Sequence, residues 1–238
     1  DRSLTKGPIL ASPYGGSYMG LCDSLVEALD EHLGYVPLEE FALTVAMPAK
    51  YLARHLWTEL KEEISSCLAV KQWLMKITRK VMKFAPVEFT MPSGWPMKIA
   101  DREPSTRTVR TYLFGKKLNV NLQDQPLDAK LSSTQANKSI GANFVHAWDA
   151  AYLVSLVDQL YGSNVDVIVN HDCFGVAPIH AEKFHSQLLR TMNDLYKEDQ
   201  LSLLHEEITF KTGMRMPEPP MINTLDPVSI GTNPYLFS

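Results

Sequence analysis

The chain has 238 residues, 45% of them hydrophobic and 21% charged, with a formal net charge of −4; this is the balance of an ordinary globular protein long enough for a real core, as one large domain or two small ones. No apolar run approaches the roughly 18 residues of a membrane span and nothing resembles a signal peptide, which excludes a membrane protein of the helical kind. The cysteines, Cys22, Cys67 and Cys173, are odd in number and widely spaced with no C-x-x-C, which argues against zinc or a disulfide framework and fits a reducing cytosol.

The opening stretch, DRSLTKGPILASPYGG, sets Arg2, Lys6, Leu10 and Tyr14 four residues apart, along one slowly drifting face of a helix. Two cations one turn apart, then an apolar residue, then a phenol beside Gly15–Gly16 make a triphosphate cradle, because Arg offers a planar fork and Lys a point charge to phosphate oxygens. A surface helix with spaced cations is the plainer alternative. Pro8 and Pro13 lie within the pattern and remove backbone donors, which predicts a kinked or interrupted helix.

Residues 17–33 and 48–84 are predicted helices, with Ala53, Leu56, Trp57, Leu60 and Ile64, then Val70, Trp73, Leu74, Ile77, Val81 and Phe84, at helical spacing. Trp57 and Trp73 read as core anchors. The charge is unevenly spread. Between Lys71 and Lys117 eleven Lys/Arg face three acids (Glu88, Asp101 and Glu103) in an otherwise acidic chain, an asymmetry that suits either a phosphate-facing surface or a solvated face. Pro86 ends the helical run. PVEFTMPSGWPM reads as a strand, a turn at Pro92–Ser93–Gly94 and a return strand; residues 106–123 read as two strands with a turn at Gly115–Lys116; residues 124–139 are polar and read as a loop.

A helix is predicted from Ile140 to Gly162, apolar nearly all round and therefore buried, with His146 and Asp149 three apart on one face. VDVIVNHDCFG follows. Val165, Val167 and Val169 alternate with Asp166, Ile168 and Asn170, which suits a strand with one apolar face. The simplest geometry is a β-hairpin with His171 and Asp172 at its bend, at the end of a buried run. Asp at a strand end is commonly a turn former, but a carboxylate on a rigid hairpin also fixes a metal ion well. An amphipathic helix runs from Pro178 to about Lys197, helical propensity continues through Leu201–Phe210, and a Pro-rich irregular tail closes the chain.

Three of these stretches, in this order, carry a resemblance. Arg, three residues, Lys, seven residues, Tyr-Gly (Arg2, Lys6, Tyr14, Gly15) resembles the nucleotide-binding fingers helix of the single-subunit DNA-directed RNA polymerases of phages, mitochondria and chloroplasts. NFVH-x-x-D at residues 143–149 resembles the segment before that family's metal-binding hairpin, and NHDCFG resembles the hairpin itself. Related DNA polymerases carry Phe midway between the Lys and Tyr, where this chain has Leu10. The resemblance is strong at 1–16, 140–160 and 165–197, weak at 86–99 and absent in detail at 124–139.

The resemblance implies an α+β, mainly helical fold, with fingers helices and a palm β-hairpin forming part of a right-hand polymerase. It implies fingers helices over 1–84, a strand and loop insertion with a basic surface over 85–139, a palm over 140–210 and a carboxy-terminal tail over 211–238, with Tyr235 and Phe237 folding back towards the site. It implies two-metal nucleotidyl transfer from ribonucleoside triphosphates to a growing RNA 3′ end on a DNA template, with Mg²⁺ as cofactor. Asp172 would hold metal beside His171. Arg2 and Lys6 would neutralise the triphosphate, and Tyr14, Gly15 and His146 would meet the ribose. The family's second metal aspartate lies upstream of the fingers helix. The resemblance therefore implies the carboxy-terminal part of a polymerase, completed by an upstream segment or by a second polypeptide as in a split phage enzyme. Its expected location is the cytoplasm, the host's if phage-encoded, with mitochondria the alternative. Rival readings are a DNA polymerase of the same superfamily, against which Leu10 and the hairpin sequence argue; a helical His-Asp phosphohydrolase, which needs further His/Asp ligands on helices; and a non-catalytic accessory subunit that kept the fold, against which Asp172 argues.

Overall fold

A computed structural model describes residues 2–12, 16–124, 126, 128–170 and 173–221. They form helices with three separate two-stranded antiparallel sheets, the mainly helical α+β composition expected. The chain divides into two compact units, built on Asp1–Met75 and Lys76–Pro219.

The first unit contains α1 (Arg2–Ala11), α2 (Tyr18–Leu33), a π-helical turn (Ala42–Ala46), α3 (Met47–Glu63) and the start of α4 (Ser65–Val81). Helix α2 starts where Ser17 Oγ accepts from the Gly20 N–H at 3.1 Å, which satisfies one of the orphan donors of the first turn. Leu21, Cys22, Leu25 and Leu29 recur on its inner face and are buried with Val45, Ala49 and Ala53. The small side chains of α3 let its backbone approach α2 closely. Trp73 is buried and Trp57 packs partly buried against this core, as anchors should. Two expectations change. Helix α1 continues through Pro8, because its packing on α2 and the burial of Pro8 offset one lost donor; it stops at Ala11, ahead of Pro13. The predicted run 48–84 is two helices parted at Ile64, whose ψ of 17° takes it out of helical geometry.

The second unit holds β1 (Val87–Thr90) paired with β2 (Pro96–Ile99) in the register Val87↔Ile99. Gly94, at φ 82°, makes the turn between them. Val87, Phe89 and Ile99 point into the core. Among the described residues strands β3 (Ser105–Leu113) and β4 (Lys116–Asp124) pair only with each other, and every residue of the two but Val109 and Val120 is exposed. Their turn falls on Phe114 and Gly115, at φ 49° and 77°, one residue earlier than predicted. Two consecutive positive φ values match the right-handed twist of a two-residue hairpin. The base of this ribbon is closed where Arg102 bridges Leu131 and Glu103 N–H donates to the Lys130 carbonyl at 2.9 Å.

Helix α5 (Ser133–Leu160) starts well before Ile140, so nearly half of the expected 124–139 loop, from Ser133 on, is helical. Ser132 caps it by accepting from Gln135 N–H, and S-x-x-Q is a capping-box pattern that a polar composition hides. Nor is α5 buried all round. Ala136, Ile140, Trp148, Ala151, Leu156 and Leu160 face inward, whereas His146, Asp149, Val154 and Val157 are exposed. Strands β5 (Val167–Asn170) and β6 (Cys173–Val176) pair in the register Val167↔Val176 to Asn170↔Cys173. Their run is not buried as expected: Val165 is, but Val167 is only partly buried and Val169, on the same face, is exposed, as is Ile168 on the other, because among the described residues the sheet has two strands and no neighbour on either edge. A 3₁₀ turn at Pro178–His180 leads into α6 (Ala181–Leu195), which buries Phe184, Leu188, Leu189 and Leu195; α7 (Gln200–Thr212) follows, capped by Asp199. Among the described residues no helix is long and apolar enough to cross a membrane.

Candidate functional site

Helix α1 carries Arg2 and, one turn later, Lys6, which is exposed together with Leu10. Tyr14 and Gly15, the rest of the expected cradle, lie outside the described residues. The spacing of Arg2 and Lys6 is therefore helical, and the Lys6 ammonium is open to a ligand.

The hairpin lies in the second unit. Its last described pair is Asn170↔Cys173, which leaves two sequence positions between the strands. These are His171 and Asp172, which also lie outside the described residues. What holds the hairpin is clear on its other side. Phe174 packs edge-on to Tyr152 of α5, ring centroids 6.3 Å apart, and against Phe184 of α6 at 6.0 Å. Tyr152 is itself fixed, its hydroxyl donating to the Leu188 carbonyl at 3.2 Å, and burial pushes its phenol well above the usual range. A bent aromatic row thus ties β6 to both helices, while Asn170 and Cys173 remain exposed. Sequence reasoning missed Phe174 as the anchor. An aromatic at an alternate position of a short strand followed by an aromatic-bearing helix was the available signal.

His146 and Asp149 share the exposed side of α5, so neither is a core side chain. Asp149 acts instead on Tyr196, whose phenol is raised first by burial and then by that carboxylate. Among the described residues no three His, Cys, Asp or Glu side chains gather as a metal site.

The basic block resolves into different roles. Burial pulls the Lys71 ammonium below its ordinary range. Lys98 is paired with Glu88 at 2.8 Å. The Arg102 guanidinium donates to the Ala129 carbonyl. Two sets remain outward. Arg107, Arg110, Lys116 and Lys117 stand exposed on the β3–β4 ribbon, and Lys76, Arg79, Lys80 and Lys83 line a groove with Lys130. Lys130 falls beyond the stretch singled out by charge counting and is brought in by the Arg102–Leu131 bridge.

The model of the DNA-dependent RNA polymerase family matches residues 1–223. The chain belongs to that family. Family members similar to it include the DNA-directed RNA polymerase of Pseudomonas phage phiKMV, 22% identical over 199 residues that cover 82% of the chain and 23% of that protein. The mitochondrial DNA-directed RNA polymerase 1B of Nicotiana tabacum is 22% identical over the whole chain and 23% of its own length. The mitochondrial polymerase of Mus musculus is 24% identical over 87% of the chain and 16% of its own length. The chain thus spans less than a quarter of each of these polymerases. Membership of the RNA polymerase family accords with the resemblance carried by the α1 sequence, the α5 segment and the hairpin.

Proposed function

We propose that the chain supplies the nucleotide-binding helix and the metal-binding hairpin of a DNA-directed RNA polymerase, which joins ribonucleotides to an RNA 3′ end on a DNA template. The observation that carries this reading is the family match across 1–223, which contains both α1 and the β5–β6 hairpin. In this reading residues 1–84 are fingers, 85–139 a basic strand and loop insertion, 140–210 palm and 211–238 the tail of a right-hand polymerase.

Asp172 is the metal ligand of the proposal. A carboxylate is the hard oxygen donor that Mg²⁺ takes, and the residues that flank the connection, Asn170 and Cys173, are exposed. When bound, the metal supplies charge stabilisation to the phosphoryl oxygens. The chain's own groups do the rest. Arg2 and Lys6 bind the triphosphate and neutralise the charge that builds on the departing pyrophosphate. Tyr14 and His146 hydrogen-bond the ribose, and Gly15, without a side chain, lets the backbone approach it. His171 stands beside Asp172 in the same short connection and belongs to the same catalytic group. Arg107, Arg110, Lys116 and Lys117 on the ribbon contact nucleic-acid phosphates.

One carboxylate does not hold two ions in register, so the proposal requires a second aspartate from another segment or polypeptide. Reconstitution tests it. The chain combined with the polypeptide that co-purifies with it is expected to incorporate ribonucleotides on a DNA template, and the 238-residue chain alone is not. Synthesis by the isolated chain would remove the second segment from the proposal. Preferential use of deoxyribonucleotides by the reconstituted enzyme would turn the assignment to a DNA polymerase.

A further inference from the structure

Two walls of the second unit enclose an open groove of about 790 Å³. One wall is the end of α4 and the turn after it, where Lys76, Arg79, Lys80 and Lys83 recur three and four residues apart and so share a face. The other is Lys130, Leu131 and Ser133, held in place by the Lys130 carbonyl accepting from Glu103 N–H and by Ser132 N–H donating to the Asp101 carbonyl at 2.8 Å. Ser133 opens α5, so the positive end of a 28-residue helix adds to the field. No carboxylate lines the groove, and none of the five cations is in an ion pair among the described residues. Lys80 is steadied by donating to the Arg215 carbonyl, which orients its charge without cancelling it.

Five cations gathered without a counter-charge repel one another, and a polyanion relieves that repulsion. The second observation says which kind. Phe84, 78% exposed, stands in the same lining. An aromatic face open to solvent beside a cationic track stacks on unpaired bases, whereas in a duplex the base faces are already covered. We infer that this groove binds single-stranded nucleic acid, its phosphates on Lys76, Arg79, Lys83 and Lys130 and a base on Phe84. The inference rests on the nucleic-acid reading of the chain and adds the surface and the strand type.

The experiment is fluorescence anisotropy of a labelled oligo(dT) with the full 238-residue chain, as a function of salt. Lys76→Gln/Lys83→Gln is expected to weaken binding by about tenfold and to flatten the log–log salt slope by about 0.7 per cation removed. Phe84→Ala is expected to weaken it by about tenfold with the slope unchanged, since stacking releases no counterions. All three positions are exposed, and circular dichroism checks that the fold is kept. Arg107→Gln/Arg110→Gln on the ribbon is the comparison. If the ribbon variant loses affinity while the groove variants keep it, the groove assignment is overturned and the nucleic-acid reading stands. If duplex DNA competes as well as unlabelled oligo(dT), or Phe84→Ala binds normally, the single-strand assignment is overturned. Failure of the wild-type chain to bind at low salt would overturn both.

Discussion

Phe174 and Tyr152 meet edge to face, their rings 6.3 Å apart and inclined at 78°. This contact joins a two-stranded hairpin, too small to be stable by itself, to the long helix α5. Phe174→Leu keeps apolar volume but removes the ring pairing. It is expected to cost about 1 kcal/mol, the scale of an aromatic pair beyond its buried area. Urea denaturation measures this loss, and hydrogen exchange should locate it as faster opening of the β5 and β6 amides.

The same hairpin carries the proposed metal ligand. Asp172→Asn conserves shape and removes the charge, so the reconstituted enzyme is expected to lose several orders of magnitude in nucleotide incorporation with its melting profile unchanged. A rate within about tenfold of wild type, roughly 1.4 kcal/mol in the barrier, would refute the role assigned to Asp172.

The proposed function gives Tyr14 a part in sugar choice. A site that hydrogen-bonds a substrate hydroxyl is left with unpaired polar groups when the hydroxyl is missing, and so it discriminates. Tyr14→Phe is expected to relax selection against deoxynucleotides by about 1–3 kcal/mol, more than it slows ribonucleotide use. The ratio of kcat/KM for a ribonucleotide and its deoxy analogue, in wild type and variant, gives the answer. An unmoved ratio would make Tyr14 a packing residue.

Glu207 of α7 pins the end of β1. Its carboxylate accepts from Thr90 N–H at 2.9 Å and from the Thr90 hydroxyl at 2.7 Å, and Lys211 Nζ lies 2.7 Å away. Burial acts to raise this carboxyl, but the Lys211 and Thr90 hydrogen bonds together outweigh it and hold it below its ordinary 4.5. A depressed folded value means the unfolded chain takes up the proton first. The stabilisation is therefore present above 4.5 and is lost as pH falls through the lower folded value. Glu207→Gln is expected to lower the urea midpoint near neutral pH, with the gap to wild type closing as the solution is acidified past that window. A gap that stays constant into acid would mean that the stabilisation does not depend on the ionised carboxylate.

How far the sequence reaches is best seen at particular residues. Periodicity located α2 and α6, and helical propensity located α7, because each signal needs only neighbouring residues. The Phe114–Gly115 turn was missed by one residue, since Gly115 draws the turn towards itself while strand twist demands positive φ at the residue before it as well. The start of α5 at Ser133 was hidden in a polar stretch whose capping pattern outweighs its loop-like composition. The family resemblance was legible because its residues keep fixed spacings within single segments.

Tertiary structure decided what no spacing encodes. Whether Val169 is covered depends on what packs against its face of the hairpin, and alternation along one strand carries no information about that partner. Lys71 and Lys76 look alike in sequence, yet burial lowers the pKa of one while the other faces an open groove. Lys130 lies 47 residues beyond Lys83 in the chain and reaches the same groove only because Arg102 pairs with Leu131. Local propensity acts over a few residues, but electrostatic neighbourhoods and packing partners are made by contacts between distant ones, and these exist only once the chain has folded.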